Sequence, residues 1–156
     1  MPEGWVKIYS PTGYVYLTKD GPQLQRIGFE RAPLDNAFPR LRKREQHKIT
    51  ADIDLITLSE RYVANIKSGS LENIEILSAG QSQLDGRPAF EKLMQYTDSS
   101  GVRYRVKAYG LVNENGFYEV YYSAPVLYFY DRDIITFEEV LATYQIIIET
   151  DDKVSN

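Results

Sequence analysis

Few residues in this chain have the type and spacing that chemistry needs. His47 is the only histidine and cysteine is absent, so a His-based metal cluster, thiolate sites, disulfides and a cysteine nucleophile are all excluded. A Ser-His-Asp arrangement would have to use His47, which lies among Arg40, Arg42, Lys43, Arg44 and Lys48, and no Gly-x-Ser-x-Gly elbow is present. Neither phosphate-cradling glycine fingerprint occurs. The nearest carboxylate pairs, Asp131 with Asp133 and Glu138 with Glu139, sit where a helix begins or faces water, which suits capping better than acid-base work. An enzyme is therefore not expected, and no cofactor or metal is expected either.

Two sets of side chains suit binding instead. Arg42, Lys43 and Arg44, with His47, form a basic cluster in the segment 33–50, whose prolines break any regular period. Such a cluster is either a solvated loop or a docking patch for an acidic partner or an anionic membrane surface. The second set is Arg103, Arg105, Lys107 and Tyr109 followed by Tyr118 and Tyr122, alternating along two strands. Cationic stems lying along aromatic rings with their heads in water would explain it, as would a surface for an anionic ligand or a partner. With Phe90, Met94 and Tyr96 added, the same face could line a pocket for a small acidic or aromatic ligand, anchored by Arg105 or Lys107.

The elements that carry these residues follow from periodicity. Residues 86–125 read as a three-stranded antiparallel meander with turns at Asp98-Ser99-Ser100-Gly101 and Asn113-Glu114-Asn115-Gly116. Symmetric closure puts Thr97 opposite Val102 and Val112 opposite Phe117. One face then carries Ala89, Leu93, Val106, Ala108 and Tyr121, with Glu91 and Glu119 at its margins, and suits a covering helix. The other carries Phe90, Met94 and Tyr96 beside the basic and aromatic set.

Upstream, three short strands are expected near residues 5–9, 14–17 and 24–31, the last alternating Arg26, Gly28, Glu30 against Gln25, Ile27, Phe29. Trp5 reads as a packing anchor. Leu55, Leu58, Tyr62, Val63 and Ile66 make one apolar stripe on a helix capped by Asp52 or Asp54 and stopped by Gly69. A strand at 74–77 continues extended to the Asp85-Gly86 turn. Asp131 or Asp133 is expected to cap a second helix with Ile134, Phe137, Val140 and Leu141 inward. Tyr144–Ile148 reads as a final strand and 149–156 as a flexible acidic tail.

The chain is one domain of 156 residues, α+β with a mainly antiparallel sheet. A formal net charge of -4 argues against general nucleic-acid binding. No apolar run approaches the roughly 20 residues of a membrane-crossing helix. MPEGWVKIYS lacks the basic start and apolar stretch of a signal peptide. A cytoplasmic protein is expected from this start, and a periplasmic or membrane-anchored one if a signal segment has been removed.

The order of a Trp5 strand unit, a Lys19-Asp20-Gly21 turn, a basic segment before an amphipathic helix, Asp85-Gly86-Arg87-Pro88-Ala89-Phe90, the tyrosine-rich meander, Ser123-Ala124-Pro125 and Phe137-Glu138-Glu139-Val140 resembles the PsbP-like superfamily. That group takes in the DcrB- and LpqN-type small bacterial lipoproteins and a nuclear-import factor that binds the Ran GTPase. The resemblance covers nearly the whole chain. It implies an α/β/α sandwich, no shared catalytic residues, and a role in binding or organising other proteins at the cell envelope. It also implies a lipid anchor on an N-terminal cysteine, which this sequence does not contain. The partner expected is another protein, with membrane association only through such an anchor.

Overall fold

The structure, a computed structural model, describes residues 1–11, 14–69, 71 and 73–147. Among these, seven strands form one sheet in the order β1-β2-β3-β7-β6-β5-β4, every neighbouring pair antiparallel. The strands are β1 Val6–Tyr9, β2 Val15–Thr18, β3 Arg26–Ala32, β4 Glu75–Leu84, β5 Arg87–Thr97, β6 Arg103–Asn113 and β7 Gly116–Pro125. Helix α1 spans Leu55–Ser68 and α2 spans Phe129–Thr143. Two meanders are thus joined where β7 returns to pair with β3, from Arg26 opposite Ser123 to Ala32 opposite Phe117.

Turn chemistry sets the registers. Asp85 (φ 52°) and Gly86 (φ 71°) give the two positive φ angles of a tight two-residue hairpin between β4 and β5. The β6–β7 hairpin closes with Val112 opposite Phe117, as the sequence leads one to expect. The β5–β6 hairpin does not close as expected. The Asp98 carboxylate accepts from the Ser100 and Val102 amides, each at 2.9 Å, and the Asp98 amide donates to the Val102 carbonyl at 2.9 Å. This ties off a three-residue loop with Gly101 at φ 88°, so Thr97 faces Arg103 rather than Val102. A slip of one residue exchanges the two faces of a strand. Phe90, Met94 and Tyr96 accordingly share a face with Val106, Ala108 and Tyr121, while Ala89, Glu91 and Leu93 lie with Arg105, Lys107 and Tyr109.

Each face has its own core under its own helix, which gives the α/β/α sandwich. Leu58 and Tyr62 of α1 pack on Phe90, Met94, Val106, Ala108 and Phe117. Tyr130 and Phe137 of α2 pack on Ala89, Tyr109, Tyr118, Val120 and Tyr122, a core that also takes in Trp5. Glycines admit two of the rings. A Cβ at Gly110 would lie 2.4 Å from the Phe90 ring, and one at Gly28 would lie 2.2 Å from the Tyr121 ring. Each ring lies over the backbone of the neighbouring strand in the space a side chain would need.

Asp54 caps α1, accepting from the Thr57 amide at 2.8 Å, and Gly69 ends it. The caps expected for α2 are corrected: the helix starts at Phe129, Asp131 lies in its first turn, and Asp133 is buried within it. The final strand is also corrected over 144–147, which is not regular. There Tyr144 stacks on Phe29 and the Ile146 amide donates to Asp85 at 2.9 Å. Ile148 and the tail 149–156 lie outside the described residues. The segment 33–50 holds two 3-10 turns, Leu34–Asn36 and Lys43–Glu45, gathered around Gln46, whose amide nitrogen donates to Asn36, Phe38 and Leu41.

Candidate functional site

On the α1 face the helix covers only part of the sheet. Beside it lies a cleft of about 370 Å³, floored by β3, β7, β6 and β5 and walled by α1 and the segment 33–50. Ile66, Leu71, Ile74, Met94 and Val106 give it an apolar side. Tyr96 and Tyr104 stack at 5.4 Å toward one end, where the Tyr104 hydroxyl donates to the Gln23 carbonyl at 3.0 Å and so fixes the β2–β3 turn as part of the rim. Strand alternation brings Arg26 and Glu30 of β3 to the same face as Glu119, Tyr121 and Ser123 of β7, with Glu30 directly opposite Glu119 and Arg26 directly opposite Ser123.

Opposed carboxylates on neighbouring strands repel unless one loses its charge. Glu30 keeps a partner, Arg40, at 3.0 Å, and Arg40 in turn lies over the Tyr14 ring at 4.1 Å. Glu119 is buried and accepts the Tyr62 hydroxyl hydrogen bond. Burial, with the charge of Glu30 added, pushes the Glu119 carboxyl well above the usual carboxylate range, and burial beside Glu119 pushes the Tyr62 phenol up as well. Burial also holds Tyr121 up at about 12.

The folded chain keeps a proton on Glu119 to higher pH than the unfolded chain does. It must therefore lose stability as pH climbs from the ordinary carboxylate range through the raised native value. Glu119→Gln preserves an acceptor for Tyr62 and removes that dependence. It is expected to gain about 1–3 kcal/mol over the wild type above neutral pH and nothing near pH 4. Melting curves of the two proteins across that range check it; a constant difference between them would show that Glu119 does not titrate as described.

The residues singled out from sequence fall in three places. Arg42, Lys43, Arg44 and His47 are exposed on the segment 33–50, and Lys43 approaches Asp35 at 3.8 Å. The His47 backbone is held by Asn65 of α1, whose side chain accepts from its amide at 2.8 Å. On the α2 face Tyr109, Tyr118 and Tyr122 are buried under α2, with Tyr122 against Tyr130 and Phe137. Arg103 is exposed, Arg105 lies over the Tyr130 ring at 5.3 Å, and Lys107 lies over Tyr109 and pairs with Glu91 at 3.5 Å. The pocket expected from Phe90, Met94 and Tyr96 joined to this set does not form. The slipped β5 register sends the first three to the opposite face, and α2 fills the space above the tyrosines.

Arg26, Glu30, Tyr62 and Glu119 are the site residues that sequence reasoning missed. The alternation Arg26-Gly28-Glu30 is visible in the sequence, and Glu119 shares the helix-covered face with Val106, Ala108 and Tyr121 as expected, but buried under Tyr62 on a central strand rather than at the margin. The pairing of β3 with β7 that joins them has no local signal.

No family model matches the chain, and no curated protein matches it. Solved structures do. PA94 of Pseudomonas aeruginosa, described as a protein of unknown function, is 9% identical, with 93% of this chain and 83% of that one covered at a TM-score of 0.61. The cyanobacterial PsbP of Synechocystis sp. PCC 6803 is 12% identical, covering 94% and 84%, with a TM-score of 0.61. LpqN of Mycobacterium tuberculosis, described as involved in cell envelope biogenesis, is 14% identical, covering 90% and 76%, with a TM-score of 0.56. Likeness at this identity is one of architecture. The sheet order, the helix on each face and the extent of coverage together give this chain the PsbP-like fold.

Proposed function

We propose that this chain is a non-catalytic binding protein that holds a small amphipathic ligand in the cleft beside α1. The observation that carries this reading is the cleft itself: about 370 Å³ of concave space with one apolar side and a few polar groups converging on its floor. That combination is what small-molecule sites require, with volumes from roughly 300 Å³ upward. The described role of LpqN supports a setting at the cell envelope. Ser123 lies on the cleft floor, so Ser123→Phe fills the space from β7. Titration with the apolar reporter N-phenyl-naphthylamine is expected to show binding to the wild type that weakens at least about tenfold in this variant, with the fold retained. Equal binding to both proteins, or none to either, overturns the reading.

A second reading has its own support. Arg42, Lys43 and Arg44 are exposed where the second 3-10 turn begins, Arg42 as the extended residue before it, and their one ion pair among the described residues is the long contact of Lys43 with Asp35, both ends of which are in solvent. Such a patch suits an acidic protein partner. Reversing all three to Glu is expected to slow association and remove its salt dependence while shifting the melting temperature by no more than about 2 °C. Crosslinking from native cells checks it, and a partner retained by the reversed loop at low salt counts against it.

A further inference from the structure

Arg26 differs from every other charged group in the cleft. Glu30 is matched by Arg40, and burial with the charge of Glu30 pushes the Glu119 carboxyl up, disfavouring the anion. Asp98, at the far rim, is occupied by the amides of its own turn. Arg26 has no carboxylate within ion-pairing distance among the described residues. Its Nε is buried and has no hydrogen-bond acceptor. The guanidinium is nevertheless positioned, lying 4.8 Å from the centre of the Tyr16 ring and within hydrogen-bonding reach of the Tyr121 hydroxyl, a neutral partner that leaves its charge unpaired. A planar guanidinium that lines the cleft, stacked on a ring and without a carboxylate partner, is well shaped to hold a carboxylate or phosphate through its terminal nitrogens.

Resting on the cleft as the binding site, we propose that its ligand is an amphipathic acid. Its carboxylate or phosphate accepts hydrogen bonds from Arg26, and its apolar body lies along Val106, Met94 and Ile74. The Glu30–Arg40 pair, and the burial that shifts Glu119 toward its protonated form, reduce the negative charge that an anion would meet on the floor. Ser123 lies directly across from Arg26 on the same floor, with its side chain toward the Tyr96 hydroxyl. An amine head group would instead meet an unmatched cation.

Calorimetric titration of the full chain with octanoate, octyl phosphate, octan-1-ol and octylamine tests the assignment. The wild type is expected to bind one or both acids at least about tenfold more tightly than the alcohol or the amine, the two acids telling a carboxylate from a phosphate site. Arg26→Gln is expected to abolish that difference and leave the alcohol unaffected. Arg26→Lys, which keeps the charge but loses the fork, is expected to fall between. If the alcohol or the amine binds as well as the acids, or if Arg26→Gln binds the acids like the wild type, the acid assignment is overturned, while Ser123→Phe still reports whether the cleft is the site. If none of the four probes binds, the carrier reading fails and the acid assignment with it.

Discussion

Phe137→Ala is expected to cost about 3–5 kcal/mol of stability and to lower the melting temperature by roughly 6–20 °C. The side chain is fully buried on the inner stripe of α2, with its ring stacked on Tyr122 at 5.4 Å and tilted against Tyr109 at 6.1 Å. Truncation leaves a ring-sized void between the helix and the middle of the sheet, where β6 and β7 cannot shift without disturbing the α1 core behind them. Denaturant unfolding followed by far-ultraviolet dichroism gives the value. A loss below about 1 kcal/mol would mean that α2 does not rest on the sheet through this residue.

The second large effect lies at a polar residue. Gln25 is fully buried, and its side chain joins the β2–β3 turn to α2. Its carbonyl oxygen accepts from the Thr18 hydroxyl at 3.0 Å and from the amides of Lys19 and Asp20 at 3.2 and 2.7 Å. Its nitrogen donates to Asp20 at 2.8 Å and to Asp133 at 3.0 Å, and Arg132 pairs with both of those carboxylates. Gln25→Ala strips partners from both ends at once, and a network left half-satisfied in a buried position costs more than any one of its bonds. A loss of about 3 kcal/mol or more is expected. A double-mutant cycle with Asp133→Asn is expected to show coupling, because both changes break the same link. Additive losses would show that the turn and the helix are held independently.

These residues also mark how far the sequence could be read. The stripe Leu55-Leu58-Tyr62-Ile66 and the cap at Asp54 are local patterns, and the structure keeps them. So is the Asn113–Gly116 turn, whose register follows from its residues. The Asp98 turn carries equally good turn residues, but its register depends on an aspartate side chain closing the loop one residue early, a choice that turn composition does not encode. That one residue moved Phe90, Met94 and Tyr96 across the sheet. Gln25 looked like an ordinary strand residue because its partner Asp133 comes from a helix 108 positions away. The cleft was hidden for the same reason: Arg26 and Glu30 could be seen to share a face, but not that Glu119 and Ser123 would lie opposite them. The basic segment was visible as charge, whereas its order comes from Gln46, which has no periodic signature.

The return of β7 to β3 also sets a sequence of events. Of the strands flanking β3, β2 is available almost at once, but the other edge stays open until Phe117–Ser123 have been made and brought back across the intervening chain. Neither the cleft floor nor the link from Gln25 to Asp133 can exist before then. Closing so long a loop ahead of the contacts that reward it is slow, so completion of the sheet belongs on the order of milliseconds to seconds rather than microseconds. During synthesis the first meander waits with an unpaired edge, and β7, the last strand among the described residues, is the one that turns two hairpin units into a single sheet.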